Sequence, residues 1–450
     1  GYFFVEAFRS LRECGFIAKV LRSTGTPFGV FRNVTQSIAG IGHAPYPEIY
    51  AASLSGYSAM INGGAPCGGP FGQSTLLQKD AMKEVFANYK ARERYVAGDT
   101  LKYLALHYSQ MNRDFRPTEI PKNTGDISFH EIGQKDQYGA FEMLNRSQVV
   151  FDIVLDEHLT IENLHQYAVL FLSNSACLSD AHVSAVTAFV EQGGTLIATH
   201  QTSLLDEWGQ GRGNFALAEV MGVDYKDGED ADHPVIYAPH DRKLEALLGH
   251  IICSFSGESR VEPRDGAELL CTRCKPALVD LLRYFDPRME YDSGEPAVIS
   301  NVFGNGRSFY ICGDVGGAYM NTPYPQLRRF IRYLVGLTPS PVEVEAPECI
   351  EMTAAFRASG ELMIHLLNNP VPLLPWRITD KKAYDEQQST FHAPLEVNPI
   401  HGVKIRLNEW AGRSARLPLR KCELEILGNP GVIVVPEVDL HEVLLVEIAA

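Results

Sequence analysis

The chain has 450 residues, which at about 150 residues per domain favours about three domains. Its 55 acidic and 40 basic residues give a net charge of −15, and no Lys/Arg cluster forms the concentrated basic face of a nucleic-acid-binding protein. Apolar residues make up 45% of the chain, enough for a sizeable core, which excludes wholesale disorder. No apolar run approaches the roughly 20 residues that cross a bilayer. We therefore expect a soluble protein with neither a nucleic-acid nor a membrane partner.

Nine cysteines are scattered along the chain, an odd number that forms no disulfide framework. This usage favours a reducing compartment, so we expect a cytoplasmic protein. Cys271 and Cys274 have the spacing of half a zinc site, but no second Cys or His pair follows at short spacing. The pair therefore favours a strand border over a metal site, and the sequence indicates no metal and no other cofactor.

The first hundred residues are predicted to alternate helix and strand, beginning with a helix. Apolar residues recur at helical spacing over 4–21, and 28–33 is a strand candidate. Further helices are predicted over 47–60 and 82–96.

Residues 101–340 show a plainer alternation of strands and helices. Ser179 is a candidate helix cap, and the apolar stretch 168–172 is typical of a strand buried on both faces of a parallel sheet. A polar loop is predicted over 113–137, and a hairpin is predicted around Gly-Asn-Gly at 304–306. The predicted strands are 101–108, 149–154, 168–172, 195–199, 297–303 and 308–312, and a last helix is predicted at 327–335.

From about residue 341 the pattern changes to short alternating strands separated by turn residues. This pattern predicts a small antiparallel β-sandwich.

Two stretches carry a family resemblance. YAVLFLSNSACLSD at 167–180 and FVEQGGTLIAT at 189–199 resemble the flavodoxin-like trimerisation domain of glycoside hydrolase family 42 β-galactosidases, a domain related in fold to class I glutamine amidotransferases. The segments 202–222 and 302–314 fit the same pattern. The resemblance is strongest to uncharacterised relatives of the family.

Two shorter motifs extend the resemblance in both directions. IHLLN at 364–368 resembles the first strands of the family's C-terminal β-domain, and NGGA at 62–65 resembles the junction before the last strand of its catalytic barrel. The resemblance implies an α/β protein in three parts, which are the C-terminal part of a (β/α)₈ TIM barrel over 1–100, a flavodoxin-like parallel-sheet domain over 101–340 and an antiparallel β-sandwich over 341–450.

A complete barrel takes about 250 residues, so the resemblance implies a fragment of a longer enzyme, with a relative that has lost its barrel as the alternative. The implied activity is hydrolysis of an O-glycosidic bond, with a β-galactoside as the carbohydrate substrate and a homotrimer as the assembly. The alternative function is a non-catalytic carbohydrate-binding or oligomerisation protein derived from such an enzyme.

The family's catalytic pair is not evident in this sequence. Retaining glycosidases need two carboxyl groups about 5 Å apart, and the family supplies them as Glu at the ends of barrel strands four and seven. The seventh strand should be 28–33, and it ends in Arg32 and Asn33 without an acid. The carboxylates of the first hundred residues all fall in predicted helices or at their ends, and they are Glu6, Glu13, Glu48, Asp80, Glu84, Glu93 and Asp99. The catalytic residues therefore stay unassigned.

Substrate-binding candidates follow from the same resemblance. Arg32, Asn33 and Gln36 fall at the top of a barrel strand, where substrate-facing groups lie. His43 falls in a loop and Gln73 follows the final barrel strand. The alternatives are polar residues that cap the loops and a surface histidine.

The loop after the strand 195–199 supplies three more candidates. Trp208 could stack on a sugar ring while Asp206 or Arg212 binds its hydroxyl groups. The alternative is that Asp206 and Arg212 pair with each other to hold the loop.

Amidotransferase chemistry is the rival activity for this fold. It needs a Cys on a strained strand-to-helix turn, where this sequence has His200, and Cys177 lacks the flanking glycines of such a turn. The sequence therefore disfavours amidotransferase activity.

Overall fold

The protein is described by a computed structural model that covers residues 3–6, 12–33, 35–38, 42–47, 49–69, 76–96, 98–116, 135–229, 235–249, 251–253, 257–276, 289–373 and 396–448. The helices in the described residues are α1 (Glu13–Ser23), α2 (Ile49–Met60), α3 (Leu76–Arg92), α4 (Gln110–Phe115), α5 (Lys135–Asn145), α6 (Ile161–Leu164), α7 (Asp180–Glu191), α8 (Ala218–Met221), α9 (Arg242–Leu248), α10 (Val315–Asn321) and α11 (Pro325–Gly336).

The strands in the same residues are β1 (Phe3–Glu6), β2 (Phe28–Asn33), β3 (Thr35–Ile38), β4 (Gly42–Pro47), β5 (Ala65–Gly69), β6 (Asp99–Thr100), β7 (Leu104–Tyr108), β8 (Phe151–Leu155), β9 (Val169–Leu172), β10 (Thr195–Thr199), β11 (Val223–Glu229), β12 (Val235–Pro239), β13 (Ile251–Cys253), β14 (Glu258–Pro263), β15 (Glu268–Pro276), β16 (Met289–Phe303), β17 (Gly306–Ile311), β18 (Val342–Glu345), β19 (Ile350–Phe356), β20 (Leu362–Asn368), β21 (Ile400–Leu407), β22 (Gly412–Leu417), β23 (Cys422–Leu424), β24 (Ile426–Leu427), β25 (Gly431–Val438) and β26 (His441–Ile448).

The first strands form a parallel three-stranded sheet in the order β1-β2-β5, and α1 and α2 lie between them in the chain. The predicted strand at 28–33 is confirmed as β2. The predicted helix over 4–21 is wrong at its start, because Phe3–Glu6 pairs with β2 and α1 begins only at Glu13. A short apolar run fits either structure, and here pairing with a neighbouring strand decides between them.

The central sheet has nine strands in the order β13-β12-β15-β16-β17-β10-β9-β7-β8. Strands β17, β10, β9, β7 and β8 run parallel, and the other strands pair antiparallel. The sheet is therefore mixed, not wholly parallel as the resemblance implied. Strand β9 is buried at all four residues, as its continuous apolar sequence predicts. The predicted hairpin between β16 and β17 is confirmed, but its expected place at the edge of the sheet is wrong, because β15 and β10 flank it on either side.

The unit β9-α7-β10 illustrates how the sequence sets the local structure. The Ser179 side chain caps α7 by accepting a hydrogen bond from the His182 N–H. Val186 and Val190 are fully buried on one face of the helix, and β9 and β10 pair in parallel. The predicted polar loop over 113–137 is wrong at both ends, because α4 extends to Phe115 and α5 begins at Lys135. Residues 117–134 lie outside the described part.

The last hundred residues form two antiparallel sheets, of strand orders β18-β21-β25-β24 and β23-β22-β26-β20-β19-β6. Short strand β6 comes from the first hundred residues, so Asp99 lies in a strand and not in a predicted helix end. The two sheets share one hydrophobic core with the central sheet, in which Ile364 and Ile433 are fully buried. In the described part of the chain, no helix has both the length and the apolar character to span a bilayer.

A buried ionic junction joins α1, α5 and β19, and its members are Arg12, Glu142 and Glu351. Arg12 is 2% exposed, and its Nε donates to Glu142 Oε2 at 2.7 Å. Its Nη2 lies 3.4 Å from Glu351 Oε1, and its Nη1 donates to the Asn369 and Val371 carbonyls at 3.2 Å. This junction connects residues that are more than 300 positions apart in sequence.

Candidate functional site

Charged side chains gather at the carboxyl edge of the central sheet. We call the group of Arg116, Lys135, Asp136 and Asp314 the sheet-edge cluster. Arg116 follows α4, Lys135 and Asp136 begin α5, and Asp314 follows β17. Ligands of open α/β sheets bind at this edge, which makes the cluster a candidate site.

Two glycines bring the acids of the cluster together. A Cβ on Gly316 would lie 1.9 Å from the Asp136 carbonyl oxygen, and one on Gly139 would lie 1.9 Å from the Gly316 carbonyl oxygen. Helices α5 and α10 therefore approach backbone to backbone, which only glycine permits here. Asp314 begins α10, and its Oδ1 accepts a hydrogen bond from the Gly317 N–H at 2.9 Å.

Asp136 holds most of the hydrogen bonds in the cluster. Its Oδ2 accepts from Arg116 Nη1 at 2.6 Å and from Asn174 Nδ2 at 2.7 Å. Asn174 follows β9 with a positive φ of 50°, a conformation that asparagine tolerates better than most residues. Lys135 Nζ donates to Asn321 Oδ1 at the other end of α10.

Burial changes the protonation of the cluster. Burial and the nearby Asp136 charge raise the pKa of Asp314 to about 7, although the Gly317 N–H and Arg116 oppose the rise. Burial also lowers the pKa of Lys135. A buried carboxyl group that titrates near neutral pH can donate or accept a proton at that pH. The cluster therefore has the chemistry of a proton-exchanging group.

The turn after β10 carries His200, whose positive φ of 50° marks it as strained. The Nδ1 atom of His200 lies 3.3 Å from the Cys312 carbonyl oxygen and 3.2 Å from Ser259 Oγ. Burial, with a smaller effect of Arg116, lowers the pKa of His200 to about 4, so the ring is neutral at pH 7. Cys177 is fully buried, and burial raises the pKa of its thiol to about 11, so it carries little thiolate.

Ser175, His107 and Asp156 form a hydrogen-bonded chain that sequence reasoning missed. His107 lies 2.9 Å from Ser175 Oγ and 3.1 Å from Asp156 Oδ1. Asp156 also accepts from the Gln110 and Met111 N–H groups. Its pKa falls to about 2, because the hydrogen bond with His107, supported by the Met111 N–H, outweighs burial. Ser175 and His107 have no exposed surface, so the chain holds three strand ends together and offers no accessible nucleophile.

The candidate residues of the loop after β10 have different surroundings. Trp208 is 63% exposed, and its ring meets Phe115 edge to face at a centroid distance of 5.3 Å. Asp206 Oδ1 accepts from the N–H groups of Trp208 and Gln210, so the carboxylate shapes its own loop. The alternative pairing of Asp206 with Arg212 does not occur, because Arg212 Nη2 contacts Asp180 Oδ1 at 2.8 Å. Trp208 thus remains the candidate best exposed to a ligand.

The other predicted substrate-binding residues are placed only by their backbone. Arg32 and Asn33 end β2, at the carboxyl edge of the three-stranded sheet. Gln36 lies in β3, and His43 lies in β4 opposite Ser37, so the expected loop at His43 is a strand. The side chains of these four residues lie outside the described part of the chain. Gln73 lies wholly outside it, backbone included.

Glu6 is a candidate that the sequence placed wrongly. It is the last residue of β1, in register with Phe31 of β2, so it lies at the carboxyl end of a parallel strand and not in a helix. The run Phe3-Phe4-Val5 before it, rich in strand-forming residues, was the available signal.

Cys271 and Cys274 are buried within β15 and belong to the interior of the sheet. Among the described residues, no group of three His, Cys, Asp or Glu side chains could hold a metal ion.

Solved structures share this fold at low sequence identity. The α-L-fucosidase isoenzyme 2 of Paenibacillus thiaminolyticus matches 96% of the chain with a TM-score of 0.71 and 19% identity. The β-galactosidase of Bacillus circulans sp. alkalophilus matches 99% with a TM-score of 0.68 and 14% identity. A glycoside hydrolase family 42 β-galactosidase from G. stearothermophilus matches 97% with a TM-score of 0.61 and 14% identity.

The chain spans 62%, 60% and 56% of the lengths of these three proteins, respectively. No protein-family model matches the sequence, and no curated protein matches it. The chain therefore has a mixed α/β fold similar to that of glycoside hydrolases.

Proposed function

We propose that the protein is a glycoside hydrolase related to family 42, with β1, β2 and β5 forming the last part of a catalytic (β/α)₈ barrel over residues 1–100. The flavodoxin-like part would then span 101–340 and the β-sandwich 341–450. The observation that carries the proposal is the parallel order β1-β2-β5 with helices between the strands, within a fold similar to that of glycoside hydrolases.

The proposed active centre lies at the carboxyl ends of β1, β2 and β5, where barrel enzymes hold their catalytic residues. Within the described residues of these three strands, Glu6 is the one carboxylate, and it lies at such an end. From the position of its backbone at the end of β1, we propose that Glu6 takes part in the reaction, next to β2, which ends in Arg32 and Asn33. The second carboxyl group that glycoside hydrolysis requires is not assigned.

The proposed substrate is a β-galactoside or an α-L-fucoside, because the fold neighbours act on these two sugars. Trp208 and Phe115 offer an exposed aromatic pair that suits a sugar ring. Asp206 and Arg212 are proposed to border the same ligand.

Hydrolysis of nitrophenyl β-D-galactoside and nitrophenyl α-L-fucoside tests the proposal. We expect turnover of one of them, and Glu6→Gln should lower kcat by about 10²-fold or more because a carboxyl group is removed from the reacting centre. Glu84→Gln is the matched control, since Glu84 is exposed on α3, and it should leave kcat unchanged. Turnover that is insensitive to Glu6→Gln would contradict the assignment of Glu6.

A non-catalytic carbohydrate-binding protein is the second candidate, because β2 ends in Arg32 and Asn33 and not in an acid. It predicts saturable binding of galactose or fucose, measured by calorimetry, without hydrolysis of either nitrophenyl glycoside. The absence of both binding and hydrolysis would reject both candidates.

The proposed assembly is a homotrimer formed through the flavodoxin-like part. Sedimentation equilibrium at micromolar concentration should give three times the mass of the chain. A mass equal to that of one chain would contradict this assembly.

A further inference from the structure

A cleft of about 550 Å³ lies between the second half of α1 and the edge strand β8. Its volume lies in the range of small-molecule sites, about 300–1,000 Å³. The residues that matter below are Lys19, Arg22, Lys102, Asp152, Asn163 and Gln166. The C-terminal end of α1 leads into the start of β2, so the cleft lies at the opposite end of the three-stranded sheet from Glu6.

Lys19 is a buried cation that lines this cleft. The residue is 8% exposed, and its Nζ donates to the Phe151 carbonyl oxygen at 2.8 Å and lies 4.4 Å from the Phe151 ring centroid. Within the described residues, no carboxylate oxygen lies within 4.0 Å of Lys19 Nζ. A buried charge without a contacting counter-ion is costly, so an anion from outside the chain that reaches Lys19 Nζ would be favoured there.

The nearest acid is already engaged. Asp152 Oδ2 accepts hydrogen bonds from Lys102 Nζ at 2.6 Å, from Thr100 Oγ1 at 2.6 Å and from the Tyr167 hydroxyl at 3.2 Å. The charges of Lys102 and Lys19 and the hydrogen bonds from Lys102 and Thr100 hold the pKa of Asp152 below its usual value despite burial. Asp152 therefore contacts Lys102 directly and acts on Lys19 only from beyond ion-pair distance.

Arg22 provides a second positive charge on the same wall. Its Nη2 donates to the Gly98 carbonyl oxygen at 2.5 Å, and no ion pair of Arg22 occurs among the described residues. Burial lowers the pKa of Lys19 to about 8, which leaves its ammonium group largely charged at pH 7. The lining of the cleft thus holds three cations, Lys19, Arg22 and Lys102, against the two carboxylates of Asp99 and Asp152, in a chain whose net charge is −15.

The lining of the cleft also carries neutral polar groups. Asn163 and Gln166 lie in and just after α6, and Gln166 Nε2 donates to the Asn163 carbonyl and side-chain oxygens. Amide groups of this kind suit the hydroxyl groups of a sugar. We propose that the cleft binds a monosaccharide that carries a carboxylate or a phosphate group, with the anion on Lys19 and Arg22 and the hydroxyl groups on Asn163 and Gln166.

Calorimetric titration tests the proposal with D-galacturonate, D-galactose 6-phosphate, D-galactose and inorganic phosphate as probes. We expect at least one charged sugar to bind about tenfold or more tightly than either D-galactose or inorganic phosphate. D-galactose lacks the anion and inorganic phosphate lacks the sugar hydroxyl groups, and the hydrogen bonds of a charged group alone contribute about a tenfold gain in affinity. Binding of the uronate or of the sugar phosphate alone identifies the anion. Equal affinity for D-galactose, equal affinity for inorganic phosphate, or no binding of either charged sugar would overturn the proposal.

Two variants identify the groups responsible. Lys19→Met should weaken binding of the charged sugar by about tenfold or more, because it removes the ammonium group that is proposed to hold the anion. Arg22→Gln provides a second test if Lys19→Met fails to fold. Lys90→Met is the control, since its ammonium group is exposed on α3, and it should leave the affinity unchanged. Unchanged affinity in either folded variant would overturn the proposal. Glu6→Gln should leave binding intact, so this test is independent of hydrolysis.

Discussion

The junction and the sheet-edge cluster both place one arginine near two buried carboxylates, but they differ in how the charges are balanced. In the junction, Arg12 lies 2.7 Å from Glu142 and 3.4 Å from Glu351. In the sheet-edge cluster, Arg116 lies 2.6 Å from Asp136, and among the described residues no cation lies within 4.0 Å of the Asp314 carboxylate.

This difference separates a structural charge cluster from one that titrates. Arg12 keeps its charge, because Glu142 and Glu351 raise its pKa against the opposing effect of burial. Burial raises the pKa of Glu351 as well, but there the contacting Arg12 charge opposes the rise. Asp314 takes up a proton instead, because burial and Asp136 raise its pKa to about 7. The junction should therefore control stability, and the sheet-edge cluster should control the response to pH.

Removal of Arg12 should have the largest effect on stability. Arg12→Met leaves Glu351 buried without its cation and Glu142 with only Arg146 at 3.5 Å, and we expect it to lower the free energy of unfolding by about 3–5 kcal/mol. Urea denaturation followed by circular dichroism measures this loss. The control is Lys90→Met, which breaks an exposed pair with Glu93 and should cost about 1 kcal/mol or less. A loss of similar size in both variants would contradict the special role of the junction.

Asp314→Asn should change how stability depends on pH. The folded pKa of Asp314 lies above its ordinary value of 3.8, so between about pH 4 and pH 7 the folded state binds more protons than the unfolded state. Stability contributed by this group is therefore present at pH 4 and lost as the pH rises to 7. The largest change in the free energy of unfolding that this pKa difference allows is about 4 kcal/mol.

The variant should thus be more stable than the natural protein at pH 8 and of similar stability at pH 4, as measured by urea denaturation across this range. Asn keeps the capping oxygen that accepts from the Gly317 N–H. Asp80→Asn on the exposed side of α3 is the control and should leave the pH profile unchanged. An unaltered profile in Asp314→Asn would show that Asp314 is ionised at pH 7.

Gly316→Ala should test the close helix approach that holds Asp136 near Asp314. Its Cβ would lie 1.9 Å from the backbone oxygen of Asp136, so the helices must separate, and we expect a loss of about 1–3 kcal/mol. Gly336→Ala is the matched control, because no atom lies within 4 Å of its added Cβ. The change in Tm relative to the natural protein should differ between the two variants in sign or size. Equal Tm values would contradict the close approach of the helices.

The sequence predicted the buried strands and the helix cap at Ser179 because those features depend on local patterns. It could not predict the junction or the sheet-edge cluster, since Arg12 and Glu351, or Arg116 and Asp314, meet only through the tertiary fold. Glu6 was misplaced because four residues are too few to show a period. Cys271 and Cys274 were expected to border a strand, and the structure places both of them inside β15.

Arg212→Met should have the smallest effect on stability and can separate a structural role from a binding role. Arg212 pairs with Asp180, which is 89% exposed, and donates to the Leu178 carbonyl oxygen at 3.0 Å. A pair so open to water is worth about 0–1 kcal/mol, unlike the pair of Arg12 with Glu142. If Arg212 borders the sugar as proposed, KM for the hydrolysed nitrophenyl glycoside should rise while kcat and Tm stay unchanged. The control is Lys83→Met, another exposed ion-pair lysine, which should alter none of the three quantities. A fall in Tm with unchanged KM would assign Arg212 to the support of its loop and remove it from the proposed sugar site.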